Sequence, residues 1–333
     1  MKKFLSISLI LLMSLSLLTA CGNSGGTTTN QPAATNPPAA QPERLLMVTG
    51  GASGTYYAFG GVIASMLTEM LDSVDITANT SGASAANARS LKNKEAELAL
   101  LQNDVLDYAY NGTELLKDDG GMPSLRTIAT LYPEVVQIVA TESSGITSVA
   151  DLKGKRVCVG DAGSGTEANA RQVMAAYGLD FSDLGKIENL SFGDAATAMQ
   201  NGTIDASFTT AGVPNPAITE LKSSTDIVIV PIDGAEADKL IADYPYYSVY
   251  NIPDDAYGID GASTVAILAT LACTEDLSED IVYDILKCLF DNQAELAIRH
   301  AKGADLSVES AVKGVSIPFH PGAEKYYKEV GAI

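Results

Sequence analysis

Histidine is nearly absent: His300 and His320 are the only two in 333 residues. Both stand in the C-terminal tail, where each reads as a packed or surface residue, so no imidazole base is on offer for catalysis. No His, Cys and Asp cluster falls at metal-ligand spacing. Ser53, Ser84 and Ser164 all lack the Gly-x-Ser-x-Gly frame of a nucleophile elbow. Acidic side chains are too many for any one pair to stand out. These absences point away from an enzyme, and no catalytic residue, metal or cofactor is expected. Basic residues are scarce too, 21 against 41 acidic, for a net charge of −20. Such a surface argues against nucleic acid and against clinging to anionic lipid. Past the first twenty residues, no apolar run approaches the roughly 20 residues that a membrane span needs.

Those first twenty carry Met1-Lys2-Lys3 and then an uncharged apolar stretch, Phe4 to Ala20. They read as a signal peptide, 1–20. Leu18-Thr19-Ala20-Cys21 resembles the lipobox of bacterial lipoproteins, which implies cleavage before Cys21 and lipidation of its thiol. The expected location is extracytoplasmic, with membrane contact through the lipid anchor alone. Residues 21–43 hold no bulky apolar side chain after the cysteine and read as a disordered tether. The other cysteines, Cys158, Cys273 and Cys288, sit in strand-like or apolar-helical positions and read as buried hydrophobes. A Cys273–Cys288 disulfide is the lesser alternative.

The body, 44–333, is long enough for two lobes. Short apolar runs alternate with amphipathic ones, the pattern of βαβ units and a largely parallel sheet. Helices are expected at 55–71, 84–93, 103–111, 166–177, 193–201, 278–299 and 322–330. "LRTIATLYP" and "VVQIVATES" read as two strands. Midway the pattern restarts: Ser53-Gly54-Thr55 follows the first strand of one half, and Ser164-Gly165-Thr166 the first strand of the other. The expected division is 44–137 plus 256–333 for lobe I and 138–255 for lobe II. Crossings are expected near 133–140 and 250–262. Ligands of such sheets bind beyond the carboxyl ends of the strands.

Glycine density at 50–55 and 163–166 first suggests a nucleotide. Gly163-x-Gly165-x-x-Ala168 matches only the weaker dinucleotide fingerprint, and Asp183 falls in a loop rather than at a strand end. The first turn lacks both the glycine spacing and a Gly-Lys-Ser/Thr. What remains is an anion held by backbone N–H groups at helix N-termini. Thr80, Ser81 and Ser84 offer a third such place. Tyr56 and Tyr57 would line the pocket, while Arg89 and Arg171 are expected in salt bridges.

"SGTYYAFGGVIASML", "NTSGASAANARSLKNKEAELALLQNDVLDYAYNG", "LKGKRVCVGDAGSGTEANARQVM" and "FTTAGVPNPAI" together resemble the TAXI-type solute receptors of TRAP transporters. The resemblance implies a mixed α/β, two-lobed, periplasmic-binding-protein-like fold (type II-like) with its ligand cleft between the lobes. It implies a receptor for glutamate, glutamine or a related small carboxylate, delivered to the ion-coupled TRAP permease subunit. By position it implies ligand contacts at Gly54, Thr55 and Tyr56; at Ser81 and Ser84; at Gln102 and Asp104; at Ser164, Gly165 and Thr166; and at Ala211 and Gly212. The turn Ser81-Gly82-Ala83-Ser84 departs from the family's Thr/Ser-Gly-Gly-Ser, which leaves the ligand open. The competing reading is a secreted α/β enzyme or sensor domain holding a phosphorylated or anionic metabolite at the same turns.

Overall fold

In a computed structural model of the chain, residues 41–333 are described. The signal peptide, Cys21 and nearly all of the expected tether lie outside them. The tether ends sooner than expected, because β1 (Glu43–Val48) already pairs with β2 (Val74–Asn79) from Glu43.

Apolar runs become strands and the amphipathic runs between them become helices. β1 is followed by α1 (Thr55–Met70), β2 by α2 (Ser84–Lys92), and β3 (Leu98–Gln102) by α3 (Asn103–Asn111). β2, β1 and β3 lie parallel in that order. Then comes β4 (Leu125–Thr141), one strand of 17 residues where two were expected. In the second half β5 (Arg156–Cys158) leads into α4 (Gly165–Ala176), and β6 (Lys186–Glu188) into α5 (Phe192–Gln200). β7 (Ala206–Ala211) leads into α6 (Pro216–Lys222), which starts on Asn215 as cap with proline at its first position, as expected of a helix start. β8 (Ile227–Val230), α7 (Gly234–Asp243) and β9 (Ser248–Asn251) follow.

The tail adds β10 (Ser263–Thr274), α8 (Glu279–Asp291), α9 (Gln293–Arg299), the short α10 (Val308–Ala311) and α11 (Pro321–Glu329). The helix expected over 278–299 is two helices, broken at Asn292 where the backbone leaves helical geometry. β10 runs antiparallel to both β3 and β4, and β4 antiparallel to β7 and β8, so the strands form one continuous sheet path.

β4 and β10 are the two elements shared by the cores of both halves. Ile128, Ala129, Leu131 and Tyr132, with Ala269, Leu271 and Cys273, pack beneath α1, α8 and α11; Val136, Ile138 and Ala140, with Val265 and Ile267, pack beneath α4 and α7. Pro133 falls where the strands pass from one core to the other, opposite Leu268, and the pairing slips between Leu268 and Thr270. A proline has no N–H to give the ladder. The slip is patched by Asn103, whose Oδ1 accepts from the Leu268 N–H at 3.1 Å.

Both histidines are helix-start caps packed in the fold. The His320 ring accepts from the Gly322 N–H, and the His300 ring from the Lys302 N–H. Cys158, Cys273 and Cys288 are buried free thiols, so Cys273 and Cys288 do not pair.

Candidate functional site

Two strand-to-helix turns close in the same way. In the first, the Gly54 N–H donates to the Gly51 carbonyl at 2.9 Å; in the second, the Ser164 N–H donates to the Asp161 carbonyl at 2.9 Å. Each turn then opens a helix of more than two turns, α1 and α4. They differ in capping. Ser164 caps α4 by accepting from the Glu167 N–H, whereas Gly54 brings α1 no side-chain cap. Among the described residues no acceptor takes the N–H groups of Thr55, Tyr56 or Tyr57. They carry the positive end of the α1 dipole.

The turns face a common cavity of about 40 Å³, room for a few water-sized groups. Gly51, Ser53 and Gly54 form one wall; Asp161, Ser164 and Thr166 form the other, with Phe192 beside them. Thr55 and Thr210 also line it, and each is at least 95 % buried. Neither Oγ1 has a hydrogen-bond partner. One of these hydroxyls comes from each half of the chain.

No lysine, arginine or histidine lines the cavity, but two carboxyls do, Asp161 and Glu134. Glu134, from the middle of β4, is fully buried and accepts from the Tyr56 hydroxyl at 2.6 Å. Burial pushes its carboxyl up to about 8, against the Tyr56 hydrogen bond and helped by the charge of Asp104. Near neutral pH the Glu134 carboxyl therefore holds its proton and does not oppose an anion, and burial, helped by the charge of Asp194, pushes the Asp161 carboxyl up as well.

Six of the twelve residues expected at the site line the cavity: Gly54, Thr55, Tyr56, Ser164, Thr166 and Ala211. The other six sit around it. The Ser81 hydroxyl is spent in its own turn, accepting from the Ala83 N–H, and Ser84 Oγ accepts from the Gln102 N–H. Gly212 packs against Thr55 and Lys302. Gly165 packs against Gln102 so closely that an added Cβ would fall 1.8 Å from Oε1.

Gln102 and Asp104 belong to a buried hydrogen-bond network that ties residues 102–108 to α4 and Tyr247. Gln102 Nε2 donates to Asn169 Oδ1 at 3.1 Å. Asn169 Nδ2 donates to Asp104 Oδ2 at 3.1 Å and to the Tyr247 hydroxyl at 2.8 Å. Tyr247 donates to Gln172 Oε1 at 2.6 Å, and Gln172 Nε2 to the Tyr108 hydroxyl at 3.0 Å. Burial raises the Asp104 carboxyl to about 7, opposed by the Val105 N–H and Asn169 and helped by Asp107.

These two carboxyls make stability depend on pH. Each binds its proton more tightly folded than unfolded. Their contribution is therefore complete below the ordinary carboxylate range and falls as pH rises toward about 7 for Asp104 and about 8 for Glu134. Thermal denaturation across this window should show a melting temperature that falls with pH, and Asp104→Asn with Glu134→Gln should flatten it. Parallel curves for wild type and double variant would contradict this assignment.

Glu134, Thr210, Asp161, Ser191 and Phe192 line the cavity without having been singled out from the sequence. Glu134 left a signal: apart from Arg126 it is the only charged residue in the 17 of β4. The expected salt bridges are present, Arg89 with Asp119 and Arg171 with Glu167.

Solved structures share this fold. PhnD1 from Prochlorococcus marinus (MIT 9301), in complex with methylphosphonate, superposes with a TM-score of 0.55 over 88 % of this chain and 100 % of its own, at 13 % identity. The alkanesulfonate-binding protein SsuA from Xanthomonas axonopodis pv. citri, bound to MOPS, superposes with a TM-score of 0.51 over 87 % of this chain and 85 % of its own, at 16 % identity. The mixed α/β architecture is thus that of the periplasmic binding proteins. The resemblance to TAXI-type receptors, and with it the TRAP permease and glutamate, is corrected: the family that matches is a different one, and the neighbours bind a phosphonate and sulfonates. Matched over residues 47–331, the chain belongs to the NMT1-like family.

Proposed function

We propose that this protein is an extracytoplasmic solute-binding receptor, anchored through a lipid on Cys21. Two lobes, 44–137 with 256–333 and 138–255, close on a small solute bearing an oxyanion and present it to a membrane permease. The supporting observation is the pair of orphan hydroxyls, Thr55 and Thr210, buried in one cavity from opposite halves of the chain. A buried hydroxyl without a partner costs about 1–3 kcal/mol, a cost that a bound solute offsets by bonding to both at once. The uncapped start of α1 supplies N–H groups for negatively charged oxygens. Neighbours of the same fold that take a phosphonate and sulfonates make the oxyanion class the natural one to test.

The test is a thermal-shift panel of methylphosphonate, short alkanesulfonates, phosphate and sulfate. Wild type should gain stability with at least one of them, by about 2.7 kcal/mol at a hundredfold excess over Kd. The Thr55→Val/Thr210→Val double variant keeps the volume and removes both hydroxyls. Without solute it should melt no lower than wild type, yet its affinity should fall at least tenfold. No shift with any oxyanion, or equal affinity in the double variant, would sink the reading.

A further inference from the structure

The cavity wall holds no cation, but one stands directly behind it. Lys302 lies in the 3-10 turn Ala301–Asp305, and its side chain is only 11 % exposed. Its ammonium has three donors, and among the described residues Asp305 takes only one, at 2.9 Å. The stem is laid against Gly212, where Lys302 Cε and Thr55 Oγ1 fall 3.0 and 3.2 Å from the place of an added Cβ. The lysine's last carbon and the orphan threonine hydroxyl are therefore no further apart than the sum of those two distances. On the other side, Lys302 Nζ stands 5.9 Å from the centroid of the Tyr132 ring, whose hydroxyl is also buried and unpartnered. An ammonium with one of its three donors in use thus stands near the orphan Thr55 hydroxyl and the ring of Tyr132 at one corner of the site.

We infer that Lys302 is the specificity-determining cation of this site: on solute binding its ammonium turns from Asp305 toward the solute's oxyanion beside Thr55 and Tyr132. The inference rests on the receptor reading above and adds to it the residue that makes the site choose a charged head group over a neutral one. Asp305 is the partner it leaves. That aspartate is 36 % exposed, so water re-solvates its carboxylate when the lysine departs and the exchange is inexpensive.

Calorimetry with methylphosphonate, methanesulfonate and the uncharged dimethyl sulfone tests this on the full chain. Wild type should bind at least one anion and not the sulfone. Lys302→Met should weaken that anion at least tenfold, with its melting temperature checked to confirm folding. Asp305→Asn frees the ammonium and should tighten the same anion two- to tenfold, which a purely structural lysine would not do. If wild type binds an anion and Lys302→Met binds it within twofold, the role of Lys302 is refuted while the receptor reading stands. Should Lys302→Met fail to fold, unchanged or weaker binding by Asp305→Asn refutes it equally. If wild type binds neither of these anions, nor phosphate or sulfate, the oxyanion reading itself fails.

Discussion

Gly165→Val should abolish the proposed solute binding, with affinity down at least a hundredfold, while the folded halves persist. The cause is contact between halves of the chain rather than contact with solute. Gly165 opens α4 directly beneath Gln102, and an added Cβ would fall 1.8 Å from Gln102 Oε1 and 2.3 Å from Cδ. Gln102 cannot swing away without giving up Asn169. Two branches at this position therefore hold α4 off the first half, and with it the wall formed by Ser164 and Thr166. Gln102→Ala removes the obstructing atoms, so adding it to Gly165→Ala should restore part of the affinity that Gly165→Ala loses alone. If Gly165→Val binds normally, or Gln102→Ala rescues nothing, the packing argument fails.

Asn169→Ala should be the most destabilising single change at the site, lowering the free energy of unfolding by about 3–5 kcal/mol. The Asn169 amide is bonded at both ends: it gives Asp104 and Tyr247 a donor and takes one from Gln102. Removing it leaves three buried groups short of a partner, one of them a carboxyl. The Asp104 carboxyl then loses one of the bonds that hold its proton affinity down, so it should titrate higher still. Urea denaturation at pH 6 and at pH 8 reads both effects, and the loss should be larger at the higher pH. A loss under about 1 kcal/mol at both would mean the network is not the tie it resembles.

Much of the architecture could be read from spacing. Periodicity located α1, α2, α3, α4 and α5 to within a residue or two at each end. The restart at Ser164-Gly165-Thr166 located the second strand-to-helix turn. The failures have physical causes. Pro133 looked like a strand end, yet β4 runs through it: the pairing with β10 slips beside it, and Asn103, thirty residues earlier, accepts from the Leu268 N–H at the slip. Asn292 breaks the long C-terminal helix with no proline or glycine to announce it.

The site was half legible. Turns whose own glycines and hydroxyls face the cavity could be read, and Gly54, Thr55, Ser164 and Thr166 are of that kind. Groups brought in by the long strands and the tail could not. Glu134 meets Tyr56 across 78 positions of sequence, and Lys302 reaches Gly212 from the far end of the chain. Gln102 and Gly165 pointed at the right place for another reason, since they meet each other and do not line the cavity.

A receptor captures its solute in this cavity and leaves it unchanged. The direct measurement is calorimetric titration with the oxyanion that most raises the melting temperature, followed by NMR of the recovered solute. Titration should show one saturable site per chain, lost in the Thr55→Val/Thr210→Val variant, with the solute recovered intact. Consumption of the solute, or binding that survives loss of both hydroxyls, would contradict it.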